Sequence, residues 1–449
     1  MFTNGLAMDL NRPHRYHTEK DVHRITLYST VAREHRHAGF KKRLYLHLDL
    51  NCFYAQVEQR ARNLYGFPVA MGGWRKPDGT PRGIVATASY EARKLGVKTA
   101  MSAYEAWQIC PYLVFLQIDY DKYQGISRRL RSILEDSAPD VETYSMDEYF
   151  LDITHLLGKG RKGIEGFASQ LKNRIYDRLG LVCSVGVATS KTYSKLASDL
   201  QKPNGLKILL TPDDAAEYLF RLPLDEVWGI GSRRYEKLRK NGLYTIADAF
   251  HRGPGIFKKL FGEMQGQLFH DTVTGRDQAK ILDNDHHIPD EISYMHTFSD
   301  WTVNIDQIRG EVVRAVRNVC YRLRGYNRKA RKWCCYIRYQ DAGRKGENVL
   351  FSTEGYTNLD DYILQSCLAR VTRCIRNALH RGYRIRGIGL NSIEMVHYNQ
   401  YELFFREKHE IRQLYRASDL INNVYGIGTV EKAASKNGVP GKTHFTGRS

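Results

Sequence analysis

Arg43-Leu-Tyr-Leu-His-Leu-Asp49-Leu-Asn-Cys-Phe-Tyr54-Ala-Gln-Val-Glu58 is the stretch from which the fold can be read. Leu44, Leu46 and Leu48 alternate with Tyr45, His47 and Asp49, the period of two that marks a β-strand, and the strand closes on a carboxylate. Past Leu50 and Asn51 the apolar positions move to Tyr54, Val57, Ala61 and Leu64, which is helical spacing. Further along, Val141 to Ile153 returns to strand character and contains Asp147-Glu148. Three acids on strands that can pair in one sheet suit magnesium, because hard cations take oxygen ligands and a pair of ions demands several anionic groups. Acids at strand ends are also satisfied by solvent or by a nearby arginine, and these residues alone leave both readings open.

The rest of the chain widens the frame. At 449 residues the length suggests about three domains at roughly 150 residues each. Hydrophobic residues make up 42% of the sequence, enough for globular cores, and no stretch of about 18 consecutive apolar residues suggests a membrane span. Lys and Arg number 68 against 49 Asp and Glu, a net charge of +19. Such an excess points to a polyanionic partner, most simply nucleic acid, with a merely basic surface as the bland alternative. The eight cysteines form no Cys-x-x-Cys pair and read as reduced, mostly buried thiols of a cytosolic protein. Residues 1–42 lack the apolar core of a signal peptide and read as a mobile basic extension; their histidines fit no common metal-ligand spacing.

Short strands and helices fill residues 43–210, including a helix over 120–136 and a strand over Val182 to Ala188. From about 211 to 282 the texture becomes short helices broken by Gly-containing turns. Residues 290–398 read strand, helix, strand, strand, helix, strand, with long helices at about 305–324 and 360–379. Residues 307–390 hold 18 Lys and Arg against 6 Asp and Glu, so well over half of the net positive charge sits in under a fifth of the chain. The final residues form a polar run expected to be disordered.

Four motifs occur in order: Asp49-Leu-Asn-Cys-Phe-Tyr-Ala-Gln-Val-Glu58, Thr87-Ala-Ser-Tyr-Glu-Ala-Arg93-Lys-Leu-Gly-Val, Ser145-Met-Asp-Glu148, and Lys195 to Gly205 with Lys202-Pro-Asn-Gly. Together they closely resemble the Y-family translesion DNA polymerases, the DinB/UmuC group that includes DNA polymerase IV-like proteins, over about residues 43–425. The resemblance implies an α+β multidomain right hand: a palm of antiparallel sheet plus helices (43–52 and 119–210), fingers (53–118), a helical thumb (211–285) and a βαββαβ little finger (290–398). Residues 399–449 would hold a clamp-binding peptide and a tail.

The same resemblance carries roles to individual residues. Asp49, Asp147 and Glu148 match the catalytic, metal-binding acids for two Mg²⁺ ions, with the main-chain carbonyl of Leu50 as a further ligand. Asn51 stands where relatives often have a second Asp. Tyr54, beside Phe53, matches the aromatic gate that leaves no room for a ribose 2′-hydroxyl. Thr87, Tyr90, Arg93 and Lys202 match triphosphate contacts, in keeping with the ability of Arg and Lys to neutralise phosphates. Lys195 and Asp199 fit as supporting groups. Ile84 falls in the roof over the nascent base pair, where its bulk predicts narrower tolerance of large lesions, and Ala100 stands where Gly is usual.

Trp228-Gly-Ile-Gly-Ser-Arg-Arg has the form of a helix-hairpin-helix whose Gly229 and Gly231 expose backbone N–H groups to a DNA phosphate. Gln400-Tyr-Glu-Leu403-Phe404-Phe405 resembles the bacterial sliding-clamp peptide, or else is the ordinary apolar end of the last strand. The expected protein is thus a low-processivity DNA polymerase that uses dNTPs and primer-template DNA, without proofreading, monomeric and cytoplasmic. Its rival is a catalytically inert relative acting as a clamp-bound adaptor.

Overall fold

The structure, a computed structural model, describes residues 43–277, 279–282, 288–339, 346–398, 407–426 and 428–433. The chain divides into two compact units, one up to His286 and one from His287.

The first unit is built on a five-stranded sheet. Its strands are β1 (Tyr45–Leu50), β2 (Asp140–Thr143), β3 (Glu148–Asp152), β4 (Cys183–Ala188) and β5 (Leu206–Leu209), in the order β5-β4-β1-β3-β2. β1 lies at the centre, antiparallel to both β3 and β4. The sheet is not wholly antiparallel as expected: β5 runs parallel to β4, because a helix crosses between them.

Helices α1 (Phe53–Ala61), α2 (Tyr120–Glu135), α3 (Gly160–Leu179) and α4 (Lys191–Asp199) follow in the chain. Alternation along β1 sends Leu46, Leu48 and Leu50 into a core shared with Tyr123, Leu130, Leu171 and Ile175 of α2 and α3. The other face, with His47 and Asp49, meets α4, where His47 Nδ1 lies 2.8 Å from Ser198 Oγ. Each leucine so buried contributes about 1.5–3 kcal/mol. Gly186 lets α4 approach, since a Cβ there would stand 2.1 Å from the Ser194 carbonyl oxygen and 2.3 Å from the Ser198 nitrogen.

Between α1 and α2 lies a smaller group, a three-stranded sheet (Val69–Met71, Thr87–Ala88, Val114–Leu116) with helices Tyr90–Lys94 and Ala103–Ile109. Beyond β5, four helices (Pro212–Tyr218, Ser232–Arg239, Ile246–Phe261, Glu263–Val273) enclose Leu224, Val227, Leu238, Ile246 and Phe257.

The second unit has the expected strand, helix, strand, strand, helix, strand order. β6 (Ser293–Thr302), α5 (Ile305–Gly325), β7 (Arg328–Tyr339), β8 (Glu347–Thr357), α6 (Asp360–His380) and β9 (Ile385–His397) form an antiparallel sheet, β6-β9-β7-β8, with two helices. Trp333, Cys335, Ile337 and Tyr339 are buried with Val316, Val371 and Ile375, while Lys332 and Arg338 on the alternate positions are exposed and Cys334 there is buried.

A further helix, α7 (His409–Tyr425), was not anticipated. It is held by polar anchors more than by apolar burial. Asp419 takes two hydrogen bonds from Arg324, at 2.6 and 2.9 Å, and the same guanidinium reaches Asp360 at 3.1 Å and stacks on the Tyr415 ring.

All eight cysteines are free, six of them buried. Among the described residues no helix is long and apolar enough to cross a membrane.

Candidate active site

The site grows from the end of β1. Cys52, at φ 40°, turns the chain from strand to helix, so Asp49 and Leu50 stand beside Phe53 and Tyr54 at the start of α1. Asp49 and Glu148 are direct register partners on adjacent antiparallel strands, so both side chains leave the same face. Asp147 ends the β2–β3 turn, and its carbonyl accepts from Leu50 N at 2.9 Å. The turn is closed by Ser145, whose hydroxyl donates to Asp147 Oδ1 at 2.6 Å and accepts from Glu148 N at 3.1 Å.

A cavity of about 210 Å³ opens here, lined by Asp49, Leu50, Cys52, Phe53, Tyr54, Ala86, Thr87, Tyr90, Arg93, Asp147 and Lys202. Nine of the proposed site residues thus meet in one place. Its carboxylates share the lining with a wall of cationic and hydroxylic side chains. Arg93 is held in that wall by hydrogen bonds to the Ala88 carbonyl (2.9 Å) and Thr87 Oγ1 (3.2 Å), and its guanidinium lies over the Tyr90 ring. Tyr54 is fixed by stacking on Tyr123, with centroids 4.3 Å apart, and by an edge contact with Tyr120. Phe53 is almost wholly buried against the same tyrosine.

Burial, opposed by Lys202 and reinforced by the charge of Glu148, lifts the Asp49 carboxyl to about 6. The Asp147 carboxyl is also raised, by burial first and by Asp49 next. The Lys202 ammonium is pushed up by Asp49 and Asp199, which outweigh its burial. Clustered anionic oxygens whose ionisation is disfavoured by their surroundings gain from a hard divalent cation, and carboxylates plus the Leu50 carbonyl are an all-oxygen donor set, so the residues fit such an ion.

Glu148 is placed differently from the other two acids. It does not line the cavity, and its Oε2 lies 2.7 Å from Lys195 Nζ. Among the described residues no three His, Cys, Asp or Glu side chains converge as a metal cluster. Ile84 is more than half exposed and lies outside the cavity lining.

Residues to which the motifs gave no catalytic role also build the site. Asn51 Oδ1 accepts from Asn204 N at 2.7 Å and its amide donates to Ser184 Oγ at 2.9 Å, tying the Lys202 loop to the end of β1. A short amide at this position therefore has a structural use. Ser145 belongs to the Ser145–Glu148 motif, but nothing in the motif announces the use of its hydroxyl, and Tyr123 carries no signal beyond its place in the helix over 120–136.

Away from the cavity, Gly229 takes φ +87° and Gly231 caps the helix Ser232–Arg239, with open space around both. Gln400, Leu403, Phe404 and Phe405, and residues 1–42, lie outside the described residues.

Three family models match the chain: the impB/mucB/samB family over residues 48–199, its helix-hairpin-helix motif over 212–243, and its C-terminal domain over 289–403. DNA polymerase IV of Lactococcus lactis subsp. cremoris (strain MG1363) is 33% identical over 298 residues, 66% of this chain and 80% of its own length. DNA polymerase IV of Clostridioides difficile (strain 630) is 31% identical over 354 residues, 77% of this chain and 91% of its own. In fold, the chain is similar to a Y-family DNA polymerase chimera of Dbh and Dpo4, with a TM-score of 0.66 at 22% identity, covering 79% of this chain and 99% of that one.

Proposed function

The chain belongs to the impB/mucB/samB family of Y-family DNA polymerases, and on that premise we propose that it is a template-directed polymerase that inserts deoxynucleotides during translesion synthesis. The observation that carries this reading for the site is the convergence on one cavity of Asp49 and Asp147 with Thr87, Tyr90, Arg93 and Lys202, and with Tyr54 in the same lining.

In the reaction the primer 3′-oxygen bonds to the α-phosphorus of the incoming dNTP as the bond to pyrophosphate breaks. Arg93 and Lys202 bind the β- and γ-phosphates, and Thr87 and Tyr90 donate hydroxyls to their non-bridging oxygens. The Tyr54 ring, braced by Tyr123, occupies the space that a 2′-hydroxyl would need. Asp49, Asp147, the Leu50 carbonyl and Glu148 would hold divalent metal, for which we propose two Mg²⁺ ions. When bound, such ions would lower the pKa of the 3′-hydroxyl and neutralise charge on the triphosphate.

Gly229 and Gly231 fit backbone donation to a DNA phosphate, and the basic residues of 307–390 fit phosphate contacts without sequence preference, whose affinity falls steeply with salt. The Gln400–Phe405 peptide supports a bacterial sliding clamp as partner, and we place the protein in the cytoplasm as a monomer. An inert adaptor would have no use for the three acids, all present here.

Extension of a primer past a damaged template base by the purified chain with Mg²⁺ and dNTPs tests the proposal. Bypass is expected. DNA binding without extension would favour the adaptor.

A further inference from the structure

Two of the three acids ride on the short turn between β2 and β3, and this turn has a lateral support that none of the motifs assigns. Tyr144 opens the turn, and its backbone N–H donates to the Glu148 carbonyl at 3.0 Å. Its ring is met edge-on by Phe150 of β3, with centroids 5.9 Å apart. Trp228, the residue just before the Gly229-Ile-Gly231 hairpin, meets it edge-on with centroids 5.1 Å apart. The Lys195 ammonium lies 5.2 Å from the ring centroid while pairing with Glu148 Oε2 at 2.7 Å. Trp228 therefore reaches Glu148 through two residues, Tyr144 and Lys195.

The Trp228 ring is also anchored beneath. It stacks near-parallel on Phe150 of β3, and Lys191, one helical turn before Lys195 on α4, lies 4.7 Å from the Phe150 ring and 6.0 Å from the Trp228 ring. Lys191 is itself buried, bonded to both carboxylate oxygens of Glu142 on β2 at 2.6 and 2.7 Å. A charge pair this buried persists only when fully partnered, and Glu142 completes its set by accepting from Leu282 N at 2.7 Å. The aromatic wall thus has a rigid base, and Trp228 remains 40% exposed on its outer side.

We propose that Trp228 is a positioning residue for the polymerase reaction: through Tyr144 and Lys195 it sets the placement of the Glu148 carboxylate and couples the hairpin read as a DNA-phosphate site to the acid-bearing turn. The proposal rests on the polymerase reading above. Cation–π and aromatic edge contacts of this kind are individually weak, so their loss is expected to show as a rate effect of about tenfold and not as unfolding.

Single-turnover insertion by the full chain, with DNA affinity measured separately by anisotropy, tests this. Trp228→Ala is expected to lower the maximal insertion rate about tenfold while changing the dNTP and DNA dissociation constants less than about twofold, with Trp228→Phe restoring most of the rate. Tyr144→Leu, away from the hairpin, is expected to reproduce the pattern, and keeps the test open should Trp228→Ala fold poorly. In a Lys195→Met background, Trp228→Ala is expected to add little. A rate unchanged in Trp228→Ala, a loss confined to DNA affinity, or full additivity with Lys195→Met would overturn the proposal. Wild-type protein that inserts nothing would instead count against the polymerase reading itself.

Discussion

Lys202 and Asp49 form an ion pair at 2.7 Å, linking the loop after α4 to the end of β1 at the cavity. The lysine that fits the triphosphate is thus the one that screens a proposed metal-binding acid. Lys202 also holds Asp199 at 2.6 Å, so it stays in place when Asp49 takes another partner. Lys202→Ala is expected to raise the dNTP dissociation constant at least about tenfold, equivalent to about 1.4 kcal/mol, with a smaller effect on DNA affinity. Pre-steady-state dNTP titrations on wild type and variant provide the check.

Tyr54 is stacked at 4.3 Å on Tyr123 and cannot swing away to admit a larger sugar without breaking that stack. Tyr54→Ala is expected to raise ribonucleotide insertion relative to deoxynucleotide insertion by about 100-fold, the scale of a strong pocket discrimination. Ratios of kcat/KM for matched rNTP and dNTP pairs measure it. An unchanged ratio would remove Tyr54 from the gate role.

Arg324 is the anchor of α7, joining Asp419 to Asp360 with a side chain only 13% exposed. Removing it leaves two carboxylates without their cation, one of them fully buried. Arg324→Leu is expected to destabilise the second unit by about 3–5 kcal/mol. Urea unfolding should show it, with enhanced proteolysis between β9 and α7. Asp419→Asn, which keeps a polar partner, should cost less.

Asp277 gives a pH dependence away from the active site. Burial pushes its carboxyl up to about 6, against opposing hydrogen bonds from Thr192 N and Oγ1, both at 3.1 Å. A folded-state value above the unfolded one means that the native protein holds the proton longer. The associated stability is therefore full below about pH 4 and is lost as pH rises towards 6, by at most about 3 kcal/mol. Asp277→Asn should flatten that part of the stability profile in chemical denaturation at fixed salt. A profile identical to wild type over this range would contradict the assignment.

The central strand and its acid were legible because alternation along Leu44–Asp49 leaves one arrangement with Leu46, Leu48 and Leu50 in the core and Asp49 on the opposite face. Residues 141–153 read as one continuous strand, whereas the chain turns at Tyr144–Asp147. That turn has no glycine or proline to announce it, being closed instead by the Ser145 hydroxyl. The pairing of Glu148 with Lys195 was equally hidden, since it depends on α4 crossing the sheet at a distance that Gly186 permits. Helix α7 escaped notice for a different reason. Leu414, Leu420, Val424 and Tyr425 are exposed on it, so its apolar pattern marks no core, and its attachment runs through Arg324 and Asp419, 95 residues apart.

The claim on which the rest depends is that the carboxylates at the ends of β1 and β3 carry nucleotidyl transfer. Single-nucleotide primer extension with Mg²⁺, comparing wild type with Asp147→Ala/Glu148→Ala at equal DNA occupancy, tests it most directly. The wild-type chain should extend the primer and the double variant should lose at least about 1,000-fold in rate, roughly 4 kcal/mol of transition-state stabilisation, while still binding primer-template DNA. Extension by the double variant at a rate near that of wild type would contradict the account.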